Sequence, residues 1–206
     1  MFITFEGIDG SGKSTQLDLF AKQFSPEQVI ITREPYYDTP LGKALEPIIK
    51  YGKLDQESEL LLFYALRREH LIAKDIPNVL YNSDTLVLCD RYTDSTIAYA
   101  SDVCLIGEIV EDLNKKFAYD IKPHLTFVLD IDPKAAQERL LSRGKVNDKF
   151  DLADLETMKK RRQAFLKLAG ERHIIIDASK SIDEVQLAIQ NGFEKYKQRM
   201  LELSSD

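Results

Sequence analysis

After one short apolar run the chain reads Gly7-Ile8-Asp9-Gly10-Ser11-Gly12-Lys13-Ser14-Thr15. Gly7, Gly12, Lys13 and Ser14 fill the pattern GxxxxGK[ST]. Glycines at these places let backbone N–H groups turn toward one centre, an anion nest. A helix beginning near Lys13 adds its positive end. Lys13 is placed to reach the β- and γ-phosphates of a nucleotide, and the Ser14 hydroxyl to ligate Mg²⁺. The nine residues Gly7, Ile8, Asp9, Gly10, Ser11, Gly12, Lys13, Ser14 and Thr15 therefore read as a nucleoside-triphosphate-binding loop, with Mg²⁺ as cofactor. One of them fits poorly: Asp9 puts a negative charge where anions bind.

The run before the loop, Phe2-Ile3-Thr4-Phe5, is β-prone. Four more runs resemble it: Val29-Ile30-Ile31-Thr32, Thr85-Leu86-Val87-Leu88-Cys89, His124 to Leu129, and His173-Ile174-Ile175-Ile176. Continuous apolar strands without alternation are buried on both faces, as in a parallel sheet. Helical patterns fill the gaps: Lys13 to Gln23, a segment capped by Thr39-Pro40, a long pattern from Gln56 to about Tyr81 broken before Pro77, and a last helix opened by the capping box Ser181-Ile182-Asp183-Glu184. The alternation predicts one α/β domain over residues 1–206, with helices on both faces of the sheet. Ligands bind such sheets beyond the carboxyl ends of the strands. Polar motifs stand there: the glycine loop after the first run, Arg33-Glu34-Pro35 after the second, Asp90-Arg91-Tyr92 after the third.

A formal net charge of −6 argues against a nucleic-acid polymer as partner. No apolar run approaches the ~20 residues that cross a bilayer, and the first residues lack a basic start and long apolar stretch. A cytoplasmic protein without a membrane partner is expected. Cys89 and Cys104 lack metal-ligand spacing and read as reduced core thiols.

Three uses of the nucleotide compete: a small-molecule kinase, a guanine-reading switch, and a motor or repair module. After Leu129 comes Asp130-Ile131-Asp132-Pro133, not an NKxD-like base motif, and a motor needs more chain. A kinase needs a second anion pocket, and Arg33, Arg67 and Arg91 supply cations for one. Leu60, Phe63, Arg67 and His70 share a helix face, so a ring and a guanidinium can meet a base together. Taken singly, Phe63 also reads as core, Arg67 as a solvated charge and His70 as structural.

Four stretches together, Phe5 to Thr15, Thr32-Arg33-Glu34-Pro35, Leu62 to His70 and Asp90 to Tyr99, resemble the thymidylate kinase family, and Asp177-Ala178-Ser179 is similar as well. The resemblance implies a P-loop fold with a five-stranded parallel sheet, and transfer of the γ-phosphoryl of ATP to dTMP. It implies that Phe63 stacks on thymine and Arg67 bonds its edge, with Thr96 alongside. Arg33, with neighbouring Glu34, and Arg91 hold the acceptor, and Tyr99 stands against C2′ of the sugar. Asp90, with Ser14, lies beside Mg²⁺. Lys13 and Arg91 serve catalysis. The loop carboxylate Asp9 would meet the 3′-OH of dTMP, the alternative being a local turn cap. A homodimer is implied by the family alone.

Three departures stand out. Tyr36-Tyr37-Asp38 replaces the usual Gly-Gly. Gly10 replaces an arginine found in one branch, which points to the bacterial-type branch. In a lid at about 143–152, Asp148-Lys149 stands for the usual Asp-Arg pair. Lys149, Arg143 and Lys145 are the candidate lid cations. Alternatives to a dTMP kinase are another or relaxed nucleoside monophosphate kinase, or a non-catalytic P-loop protein.

Overall fold

The structure is a computed structural model and describes residues 1–100, 103–142, 144, 150 and 153–203, with 103–107 by backbone alone. Five strands form one parallel sheet: β1 (Phe2–Glu6), β2 (Val29–Arg33), β3 (Leu86–Asp90), β4 (Leu125–Asp130) and β5 (His173–Asp177), in the order β2-β3-β1-β4-β5. Each falls within one residue of the run that predicts it. β1 lies between β3, with Phe2 beside Val87, and β4, with Ile3 beside Leu125. Its five residues are all buried, which is why it shows no polar alternation.

The pleat sends successive residues to opposite faces, and the core divides accordingly. Ile3 and Phe5 join Leu17, Phe20, Phe127, Ile189 and Phe193 on one side. Phe2 joins Leu60, Tyr64, Leu71, Ile76, Val87 and Tyr92 on the other. The first side is covered by α1 (Lys13–Ala21) and α9 (Ile182–Leu203), the second largely by α3 (Gln56–Ala73). Phe20 meets Phe193 edge-to-face at 5.2 Å, an arrangement that aromatic quadrupoles favour.

The remaining helices are α2 (Pro40–Tyr51), α4 (Ile76–Asn82), α5 (Thr93–Ala98), α6 (Val103–Phe117), α7 (Pro133–Ser142) and α8 (Leu155–Leu168). The expected caps form. Thr39 Oγ1 accepts from Gly42 N at 3.0 Å. Glu184 Oε2 accepts from Ser181 N at 3.0 Å, and Ser181 Oγ accepts from Glu184 N at 3.3 Å. The long pattern from Gln56 splits where Asp75 turns left-handed, φ 51°, ahead of Ile76-Pro77. Proline is tolerated in the first turn of the second piece, where its missing N–H has no partner to lose.

Among the described residues no helix is long and apolar enough to cross a membrane. Cys89 is buried and carries a free thiol among the described residues. The Cys104 side chain and the tail beyond Leu203 lie outside the described residues.

Candidate active site

β1 delivers the chain into a tight loop at its carboxyl end. Gly7 and Gly10 have φ of 138° and 83°. A Cβ on Gly7 would lie 2.6 Å from Leu129 O, and one on Gly10 would lie 2.4 Å from Ala136 O. No larger residue fits either place, which explains why this chain cannot hold an arginine at position 10 in this loop conformation. Gly12, also left-handed, precedes α1, whose first N–H groups receive no side-chain cap. These free donors are what an anion requires.

Lys13 is buried, and its Nζ donates to Ile8 O at 3.0 Å. Burial, then Arg91, lowers its ammonium to about 8, with Asp90, Asp9 and Glu6 opposing. Ser14 Oγ donates to Asp90 Oδ2 at 2.5 Å, while Asp90 Oδ1 is buried without a hydrogen-bond partner among the described residues. Among the described residues no group of three His, Cys, Asp or Glu could cage a metal. A hydroxyl and one carboxylate with an open oxygen fit Mg²⁺, which keeps waters and shares phosphate oxygens rather than seeking an all-protein cage.

Beside the loop opens a cleft of about 310 Å³, within the ordinary range for small-molecule sites. All the sequence-predicted substrate residues line it: Asp9, Arg33, Glu34, Phe63, Arg67, Arg91, Thr96 and Tyr99. They come from five places in the chain. The loop gives Asp9, the end of β2 gives Arg33 and Glu34, and α3 gives Phe63 and Arg67. The end of β3 gives Arg91, and α5 with the residue after it gives Thr96 and Tyr99.

Two charge constellations hold the cleft. In the first, Arg67 Nε and Nη2 donate to Glu34 Oε2 at 2.8 and 2.7 Å, and Nη2 also reaches Thr96 Oγ1 at 2.9 Å. His70 Nδ1 stands 3.0 Å from Glu34 Oε1 and must donate, since a carboxylate only accepts, while Nε2 contacts Thr32 Oγ1 at 2.6 Å. Burial would raise Glu34, but Arg67 and His70 hold it below its usual range. Glu34 therefore orients Arg67 in the cleft wall, and the buried His70 serves structure, the reading it takes singly. Among the described residues Arg67 Nη1 is buried without a hydrogen-bond partner.

In the second, Arg91 Nη2 donates to Asp9 Oδ1 at 2.5 Å and Tyr99 OH donates to Asp9 Oδ2 at 2.6 Å. Arg91 Nη1 reaches Gly7 O at 3.1 Å and Ser95 Oγ at 2.9 Å. Burial would raise the Asp9 carboxyl, but Arg91, Lys13, the Tyr99 hydroxyl and Arg161 hold it well below the carboxylate range. The loop carboxylate is thus the counter-charge of Arg91. Arg91 itself is a non-glycine residue at φ 73°, a conformation that costs of order 1–3 kcal/mol and clusters at functional sites.

Tyr37, Lys50, Tyr92, Ser95 and Phe150 also line the cleft; Tyr37 stands in the Tyr36-Tyr37 departure and Tyr92 and Ser95 in the Asp90 to Tyr99 stretch, but sequence reading gave none of the five a site role. Ser95 had a signal, one residue before Thr96 on a short helix. Phe150 falls inside the expected lid at about 143–152, though as a ring rather than a cation, and Lys50 had no signal, because nothing local says that the end of α2 returns to the cleft. The paired tyrosines divide. Tyr36 is buried 4.9 Å from the His70 ring, whereas Tyr37 faces the cleft with Lys50 Nζ 5.5 Å from its ring centre. Arg143, Lys145 and Lys149 lie outside the described residues.

The sequence profile of the thymidylate kinase family matches residues 5–189. A thymidylate kinase of Paraburkholderia xenovorans (strain LB400) is 38% identical over 199 residues, covering 92% of this chain and 95% of that one. One of Staphylococcus haemolyticus (strain JCSC1435) is 36% identical, with coverages of 89% and 92%. The crystal structure of thymidylate kinase from Ehrlichia chaffeensis superposes with a TM-score of 0.72 at 33% identity, covering 94% of this chain and 98% of that one.

Proposed function

The chain belongs to the thymidylate kinase family, and from that premise we propose that it moves the γ-phosphoryl group of ATP to the phosphate of dTMP through the two adjoining cradles. The observation that carries this reading is the placement of Arg91. Its guanidinium lies between the loop, through Gly7 O and Asp9, and the cleft. A cation there touches both the transferring group and the acceptor.

The acceptor phosphate is a nucleophile already largely deprotonated at neutral pH, since its second pKa is about 6. No general base is required. What remains is to align two anions and neutralise charge. Lys13 and the loop N–H groups bind the donor phosphates. Arg33 and Arg91 hold the acceptor phosphate, as planar guanidinium forks suit better than ammonium groups. Phe63 offers a ring to the thymine, and the Arg67 guanidinium a donor to its edge, with Thr96 beside it. Tyr99 limits room at the sugar. Mg²⁺, when bound, would be held by Ser14 and Asp90 and supply charge neutralisation at the donor phosphates. The lid cation role falls to Lys149, Arg143 or Lys145. A single kinase domain in the cytoplasm, acting as a homodimer as the family implies, completes the proposal.

The test is ADP release with ATP, Mg²⁺ and a panel of monophosphates. dTMP should give the highest kcat/KM. Faster turnover of AMP, CMP or GMP rejects the reading, and turnover of none leaves a nucleotide-binding protein without kinase activity.

A further inference from the structure

Helix α8 carries two consecutive arginines with different destinations. Arg162 Nε and Nη2 pair with Asp130 Oδ1 and Oδ2 at 2.6 and 2.9 Å, a tie to the end of β4. Arg161 turns the other way, toward the acceptor cleft. Its Cζ lies 4.1 Å from the centre of the Tyr99 ring and 6.0 Å from that of Phe150, and its Nη1 donates to Phe150 O at 3.4 Å. Tyr99 and Phe150 are both cleft-lining rings, 6.1 Å apart, and Phe63 lies 6.4 Å from Phe150 on the other side. Arg91 Cζ is also 5.1 Å from the Tyr99 ring centre. Tyr99 is therefore held by two guanidinium groups, by its hydroxyl on Asp9, and by Phe165 edge-to-face at 6.3 Å.

From this arrangement we propose that Arg161 is a positioning residue that fixes Tyr99 and Phe150 at the sugar end of the acceptor cleft and thereby sets the preference for a deoxyribose. The inference rests on the cleft taking dTMP, as proposed above. A ring excludes an extra hydroxyl only if it cannot swing aside, and the guanidinium plane over Tyr99 opposes that movement. The same cation adds positive charge near Asp9 and so favours the ionised carboxylate that accepts from Tyr99. A cation over a ring draws on both stacking and the ring quadrupole. Arginine supplies the flat face that lysine lacks.

The experiment compares dTMP with ribothymidine 5′-monophosphate as acceptors for the wild type, Arg161→Met, Arg161→Gln and Arg161→Lys. Both neutral variants should lower the kcat/KM ratio of dTMP over the ribonucleotide by roughly three- to thirtyfold, the range of a partly desolvated cation–ring contact. Arg161→Lys should recover part of that loss. Arg161 is only half-buried, so the variants should fold, and a chemical-denaturation midpoint taken alongside separates a general loosening from a selective one. An unmoved ratio in either neutral variant, with wild-type turnover of dTMP intact, overturns the role of Arg161 alone. A wild type that does not phosphorylate dTMP overturns the functional reading beneath it.

Discussion

A carboxylate inside a phosphate loop is self-defeating until its partners are named. Asp9 accepts from Arg91 through one oxygen and from Tyr99 through the other, so most of its charge is spoken for before any ligand arrives. Each carboxylate oxygen has a second lone pair, which leaves room for the 3′-OH of an acceptor. Asp9→Asn should therefore have two effects. Loosening Arg91 should weaken turnover with every acceptor, and losing the hydroxyl contact should add a loss specific to dTMP. Removing a charged hydrogen-bond partner costs about 1.5–3 kcal/mol, roughly ten- to a hundredfold in kcat/KM. The check compares two enzymes on dTMP and 3′-deoxythymidine monophosphate. The larger loss is expected with dTMP, and equal losses would assign Asp9 wholly to Arg91 and Tyr99.

Helix α5, six residues long, and the residues on either side of it bring Tyr92, Ser95, Thr96 and Tyr99 to the cleft. Too short to be stable alone, it is pinned on both sides. Glu6 at the end of β1 accepts from Tyr92 N at 2.7 Å and Ser95 Oγ at 2.6 Å. Asp94 accepts from Arg172 Nη2 at 2.5 Å and faces His173 Nε2 at 2.9 Å. Burial, then the nearby Asp94, raises the Glu6 carboxyl from 4.5 to about 7. A carboxyl raised on folding binds its proton more tightly in the native state, so it favours the fold at low pH and loses that contribution as pH rises through its folded value. Relative to Glu6→Gln, the wild type should lose a few kcal/mol between about pH 5 and about pH 8, at roughly 1.4 kcal/mol per unit. Urea unfolding of both proteins at the two pH values measures it, and a constant difference refutes it. Sequence exposed the strands readily, because apolar runs and glycine breaks are local signals. It exposed the cleft residues that follow strands, because a parallel sheet gathers those ends. It did not expose Glu6 as the anchor of α5, since a buried acid five residues into the chain has no local mark of its partner 86 residues on. Arg161 was silent for the same reason, one cation among the run Lys159-Lys160-Arg161-Arg162.

At the scale of the whole molecule, one sheet separates two apolar layers, and β1 contributes alternate residues to each. Neither layer keeps its floor if β1 leaves, so the two should melt together. Urea unfolding followed by far-ultraviolet dichroism and by tyrosine fluorescence should give a single coincident transition. dTMP at a hundred times its Kd should stabilise it by about 2.7 kcal/mol. Two separated transitions would show that the layers are independent. The placement of Arg91 has a further consequence. Its guanidinium answers to Asp9 in the donor loop and faces the acceptor cleft, so an acceptor that draws on its charge alters the field felt by the donor. Linkage then makes the effect reciprocal: whatever factor one nucleotide applies to the affinity of the other, it receives in return. The two substrates are correspondents rather than neighbours, and an inhibitor built for either half of the site inherits the occupancy of the other.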